Sequence, residues 1–275
     1  MPFRLTPPVA DRAPSFVSIL LAGLALTQGF AAQAQAQVQA LSTQDLPAFL
    51  AAHEVAVVQY TSPDTKCGYC VGADKPFDLM AALSFDPRRG YARVQWQPWQ
   101  QFPSFPAGVQ ATGKIPMMHI YVHGQFAGQY EGRPGDALDM PMRVYQSVAR
   151  QLASRSPLNP DTPLTAQQRR LTQVFVRMSL LQSMLLTCAQ KSPQQLPSLQ
   201  AALRRALKPL QGEVEAASRL GDSDTDRWPG MGEIAQAQIQ QREAWMTRTL
   251  KLPSSTLDEG SCAQVAQGIG SWPLP

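Results

Sequence analysis

The chain has 275 residues, 44% of them hydrophobic and 16% charged, with a net charge of +4 at neutral pH. That balance supports a packed core and excludes a disordered chain. The mild charge, with no Lys/Arg run and no basic–aromatic stripe, argues against a nucleic-acid partner.

The N-terminus reads as a targeting segment. Arg4 and Arg12 form a basic region, and residues 16–26 (FVSILLAGLAL) are an apolar stretch too short to span a bilayer comfortably. Ala32, Ala34 and Ala36 fit an A-x-A cleavage site. Residues 1–36 are therefore expected to be a cleaved signal peptide, with the mature chain exported to the periplasm. An uncleaved anchor is the alternative; no Cys follows the apolar stretch, which argues against a lipoprotein. No other apolar run approaches membrane-spanning length. The four cysteines, Cys67, Cys70, Cys188 and Cys262, all lie beyond residue 36, and an even number in an exported protein reads as oxidisable pairs.

Ser42 can cap a short helix over 43–52. Residues 55–61 (VAVVQYT) form an apolar, β-rich run of strand length. The turn Ser62-Pro63-Asp64 leads to Cys67-Gly68-Tyr69-Cys70. A helix is predicted from there to Leu83, interrupted near Pro76. Residues 87–90 (PRRG) make a turn and 91–97 (YARVQWQ) alternate like a strand. An irregular crossover over 98–113 precedes a strand at 117–122 (MMHIYV), a turn at His123-Gly124, a returning strand at 125–130 and a closing helix over 136–154. Alternation followed by a hairpin predicts an α/β fold, a mixed sheet with helices on both faces.

The domain so defined covers 37–155. Residues 156–163 (SPLNPDTP) are a linker by composition. Residues 164–275 carry no strand signal and predict a small all-α domain. Thr165 caps its first helix with Gln168 as capping-box partner, and Leu171, Val174, Met178, Leu181 and Leu185 lie on one stripe. A second helix over 198–220 should kink or break at Pro209 and Gly212. A third runs from 231 to 250 with Ile234, Ile239, Trp245 and Met246, and a short last segment holds Cys262.

A lone CxxC fits half a zinc site, a structural disulfide or a redox pair. Here it follows an apolar strand and opens a helix. At a helix N-terminus the unpaired N–H groups and the dipole favour an anion, so a thiolate at Cys67 is stabilised and nucleophilic near neutral pH. Lys66 adds positive charge. Cys70, one turn further in, is placed to resolve a mixed disulfide at Cys67. The second signal is Ile115-Pro116 before the strand at 117, where Pro costs no ladder donor. A cis bond there would present the backbone of Ile115 to an extended substrate; a trans Pro merely opening the strand is the alternative.

Over residues 41–154 the capped helix, VAVVQYTSP, CGYC, the Pro one turn later, the strand at Tyr91, KIP and the His123-Gly124 hairpin follow in order. In this the chain resembles the thioredoxin superfamily. The resemblance implies Cys67 as attacking thiol, Cys70 as resolving thiol and Pro116 as the cis-proline of a peptide groove, with substrate contact expected of Tyr69, Ile115 and Pro116. It implies no cofactor. Departures are visible: Lys66 stands where thioredoxins have Trp, and Gln59, which cannot take a proton, stands where they bury an Asp. Asp64 is a substitute acceptor or a solvated turn residue. The Gly68-Tyr69 pair is similar to that of periplasmic disulfide isomerases, though the few residues between the cleavage site and first helix leave no room for their dimerisation module.

Cys188 and Cys262 are candidates for a structural disulfide, closing a loop that stabilises by up to about 4 kcal/mol; a second redox relay and a zinc site with Cys67 and Cys70 are the competing readings, and the spacings do not suit zinc. His119 reads as a sheet residue, His123 as a turn residue and His53 as a helix-end cation. Copper handling through Cys67, Cys70 and a His near Met117 and Met118 is a minor alternative, and no metal site is assigned. Trp96, Trp99, Phe102 and Phe105 read as loop side chains on the sheet edge or as an apolar rim for polypeptide. The expected partners are cysteine-containing exported proteins and a redox partner; part of the helical stripe is available for a homodimer. The leading function is a periplasmic thiol–disulfide oxidoreductase, and the alternative is a redox-inert binding module of an envelope complex.

Overall fold

Alternation and burial set the sheet. In the computed structural model, residues 37–95, 114–135, 138–152, 162–223, 230–252 and 257–275 are described. The expected signal peptide, the crossover with its Trp96–Phe105 aromatics and most of the 156–163 linker lie outside the described residues.

Five strands, β1 (Gln39–Leu41), β2 (Val55–Thr61), β3 (Arg89–Gln95), β4 (Met117–Val122) and β5 (Gln125–Glu131), lie in the order β1-β3-β2-β4-β5. β3 runs parallel to β1 and β2, whereas β4 is antiparallel to β2 and β5. β2 is the central strand and is buried along its whole length.

Period-two alternation sorts its side chains. Val55 and Val57 pack with Ala73 and Phe77 of α2 (Gly68–Ala82) and with Val144 and Val148 of α3 (Asp139–Leu152). Ala56, Val58 and Tyr60 pack on the opposite face with Leu46 and Phe49 of α1 (Leu46–Ala52). This is a thioredoxin-like mixed sheet with helices on both faces.

Two local expectations are corrected. α2 runs without interruption through Pro76; the ring would crowd the carbonyl four residues back, which belongs to Gly72. α1 starts at Leu46, not at 43: Pro47 has no N–H to donate to the Thr43 carbonyl, and residues 42–45 form a tight turn closed by the Asp45 N–H on the Ser42 carbonyl at 3.2 Å. β1 had no sequence signal, being three residues long and largely exposed.

The C-terminal region is all-α. α4 (Ala166–Lys191) is its central helix, opened by Thr165 and Gln168 in a reciprocal capping box. Around it lie α5 (Leu196–Leu207), α6 (Gln211–Gly221), α7 (Met231–Arg248) and α8 (Glu259–Gly268). A 3-10 turn over Lys208–Leu210 separates α5 from α6 at Pro209. α4 is long and apolar enough to cross a membrane by length and composition, unlike the sequence expectation, but most of it is buried inside the chain. Val174, Met178, Leu181 and Leu185 of the expected stripe are taken up by this core. Gly221 lets α6 close on α4: a Cβ there would stand 2.2 Å from the Phe175 ring.

The helical region shares an interior with the end of α2 and the loop that follows it. Leu79, Leu83 and Phe85 belong to the same apolar cluster as Leu181, Leu185 and Leu203. Beside them Arg88 and Arg89 reach Asp222, at 2.5 and 3.1 Å, and Asp86, at 2.7 and 3.1 Å. This buried charge cluster lies at the end of the sheet remote from Cys67.

Candidate functional site

The loop from β2 to α2 is built by Asp64. Its Oδ1 accepts the Lys66 N–H at 2.9 Å, and its carbonyl accepts the Cys67 N–H at 3.0 Å. Asp64 is exposed and acts as a turn organiser. The turn delivers Cys67 to the N-cap of α2, where its Sγ accepts the backbone N–H of Cys70 at 3.3 Å.

Cys67 and Cys70 are disulfide-bonded, with an S–S distance of 2.05 Å. Cys70 is fully buried, while Cys67 is half-buried. The next turn presents apolar side chains to solvent: Tyr69 is 71% exposed and Val71 55%.

Ile115–Pro116 is cis. β4 pairs Met117 with Tyr60. One more residue of the same register sets Pro116 opposite Thr61, the last residue of β2 and the start of the loop to Cys67. The Pro116 carbonyl accepts the N–H of Gly132 at 2.9 Å. Gly132 has φ +87, a left-handed conformation that favours glycine.

Beneath α2, Gln59 and Thr61 continue the α2-facing row of β2. Thr61 Oγ1 donates to Asp74 Oδ1 at 3.0 Å. Gln59 is buried, and its Oε1 accepts from Arg93 Nε at 2.8 Å. Arg93 also donates to Asp78 Oδ1 at 2.8 Å. The Asp78 carboxyl is raised above its ordinary range by burial, with Arg93 pulling the other way. Sequence reading identified Gln59 but missed Thr61, Asp74, Asp78 and Arg93 as its surroundings; a polar pair on the inward row of a buried strand was the available signal.

Cys188 and Cys262 are also joined, with an S–S distance of 2.04 Å, and both are fully buried between α4 and α8. They sit in the helical core, apart from the Cys67 loop.

The residues named for copper do not converge. Met117 and His119 face α1, whereas Met118 faces α2. His119 contacts Met117 Sδ at 3.1 Å and Tyr121 Oη at 3.2 Å. Burial pushes its pKa down to about 4, against an upward pull from Glu131. Among the described residues no three His, Cys, Asp or Glu side chains are grouped to hold a metal ion.

No protein-family model matches the chain, and no curated protein matches it. Among solved structures the chain is similar to the Malassezia sympodialis thioredoxin Mala s 13, described as a member of a pan-allergen family. The two are 19% identical, the match covers 41% of this chain and 91% of that one, and the TM-score is 0.31. The fold assignment rests on strand order and on the helix that Cys67 opens.

Proposed function

We propose that this protein is a periplasmic thiol–disulfide oxidoreductase that exchanges disulfides with cysteine-containing exported proteins through Cys67 and Cys70. The observation that carries the reading is the capping of α2 by a half-buried sulfur, with the Cys70 N–H pointing to Cys67 Sγ. Negative charge developing on that sulfur meets an N–H donor and the positive end of the helix dipole. The sequence of residues 1–36 and the pairing of all four cysteines support an oxidising, exported setting.

From the disulfide form, a substrate thiolate attacks Cys67 Sγ. A substrate–Cys67 bond forms, the Cys67–Cys70 bond breaks, and Cys70 leaves as a thiolate that takes up a proton. A second substrate thiolate then attacks the substrate sulfur of this mixed disulfide, and Cys67 leaves as a thiolate at the helix N-terminus. The substrate has lost two electrons and the protein has gained them; a redox partner carries them away. Run in reverse, the same steps reduce a substrate. Tyr69, Ile115 and Pro116 line the approach, and the backbone of Ile115 is the pairing partner for an extended segment.

The test is exchange with a disulfide-bonded protein substrate. Cys67→Ala abolishes turnover, and Cys70→Ala accumulates mixed disulfides that can be isolated and identified. Equal activity of wild type and Cys67→Ala defeats the proposal.

A second reading is favoured by Gln59, a buried amide that cannot carry a proton away from Cys70 and whose Nε2 has no hydrogen-bond partner among the described residues. On this reading the Cys67–Cys70 bond is static and the chain is a binding module of an envelope complex. A reduction potential well below about −300 mV supports it.

A further inference from the structure

Arg133 lies across the redox helix. A Cβ on Gly72 would stand 2.9 Å from Arg133 Cδ and 3.1 Å from its Nε. The arginine side chain therefore fills the space that the missing Cβ leaves. Residues four apart on a helix share a face, so Gly72 lies on the face of Gly68, in the exposed turn next to Tyr69. The backbone preceding Arg133 is fixed from the other side, since Gly132 N–H bonds the Pro116 carbonyl. One short segment thus touches both walls of the approach to Cys67.

Exposed cations lie on both sides of this segment. Arg133 and Lys66 are exposed, and among the described residues neither pairs with a carboxylate. Arg143, also exposed, stands over the Tyr130 ring at 5.7 Å, and the Tyr130 hydroxyl donates to the Arg133 carbonyl at 3.3 Å. Among the described residues Asp74 and Asp78 are held by Arg93, Asp64 accepts the Lys66 backbone N–H, Asp139 accepts the Gly135 N–H, and Glu131 accepts from Gln129 on the row of Met117 and His119, across the sheet from α2.

We propose that Arg133 is a specificity-determining residue that draws a substrate carboxylate into the approach to Cys67, so that the favoured substrate is a cysteine flanked by Asp or Glu beside an apolar residue. The proposal deepens the oxidoreductase reading and rests on it. Tyr69 and Val71 supply the apolar contact and Arg133 the charge. A positive rim beside an exposed apolar turn selects by charge complementarity, and rim charges act chiefly on association.

The experiment uses the full-length mature protein, reduced with dithiothreitol and then freed of it, and two otherwise identical disulfide-dimer peptides, one with the cysteine flanked by Asp and Leu, the other by Lys and Leu. The second-order rate constants for transfer of the two electrons from the Cys67–Cys70 dithiol to each peptide disulfide are compared for wild type, Arg133→Lys and Arg133→Glu, at low salt and at high salt. Wild type is expected to prefer the acidic peptide by about threefold or more, the range of a single exposed charge pair. Arg133→Lys keeps the preference, Arg133→Glu inverts it, and salt erases it in all three. The alkylation rate of reduced Cys67 with neutral iodoacetamide is measured alongside and is expected to be the same in every variant.

Exchange without charge preference in wild type overturns this inference alone. So does an Arg133→Glu effect that is equal on both peptides and accompanied by slower alkylation, since Arg133 would then act on the thiolate. Absence of exchange with either peptide overturns the oxidoreductase reading and this inference with it.

Discussion

The side-chain amide of Gln182 donates to the carbonyl oxygen of Leu83 at 3.1 Å. Gln200 does the same to Ala82 at 3.5 Å. Both carbonyls belong to the C-terminal end of α2, where helical C=O groups lack partners in the chain's own helix. The helical region thus closes the end of the helix whose start carries Cys67. Replacing Gln182 by Ala is expected to cost about 1 kcal/mol, read as a lower urea midpoint with an unchanged denaturant slope.

Asp222 links the two regions through charge. It accepts from Arg88 and Arg89, and both arginines also pair with Asp86. Asp222→Asn removes one carboxylate from the two buried guanidinium groups, leaving Asp86 to both and Glu54 to Arg88 at 2.9 Å. Breaking such a cluster is expected to cost about 3 kcal/mol or more. Equilibrium urea unfolding measures this; a change below half that figure would show that the arginines find other partners.

His119 makes stability pH-dependent. Its folded-state pKa is pushed down to about 4 by burial, against an unfolded value of about 6.5. The unfolded chain therefore binds the proton first, and the contribution of His119, full above about pH 6.5, is lost as pH falls toward 4. The loss is on the order of 3 kcal/mol. His119→Phe, which suits the ring cluster of Tyr60, Tyr121 and Phe126, is expected to flatten the difference in unfolding free energy between pH 7 and pH 4.5. An unchanged pH profile in that variant would sink the assignment.

The Cys188–Cys262 link spans a sequence separation of 74. By loop-closure entropy it is worth about 4 kcal/mol. The double variant Cys188→Ala, Cys262→Ala is expected to lose most of that in unfolding free energy, with α8 exchanging its amide hydrogens before the sheet does.

What was legible followed period and punctuation. The run Val55–Thr61, the cysteine turn, the hairpin at His123-Gly124 and the Thr165–Gln168 box each carry their signal within a few residues, and each stands in the structure. The break at Pro209 was equally local. The junction was not. Residues 87–90 read as a turn, and nothing near them announces Asp222, which is 134 residues from Arg88. Arg133 was silent for the same reason: its role depends on Gly72 having no side chain, a match between two distant positions. Pro76 misled because a helix-breaking residue was weighed by propensity, while the packing of Ala73, Phe77 and Met80 carries α2 past it.

The two sulfur bridges are unequal in access. Cys67 is open to solvent in part, whereas Cys188 and Cys262 are sealed inside the helical core. A dissolved reductant will therefore open one bridge of the native protein and leave the other shut, so that thiol counting gives two titratable groups before denaturation and four after it. If the proposed exchange at Cys67 operates, the helical core stays covalently fastened throughout it.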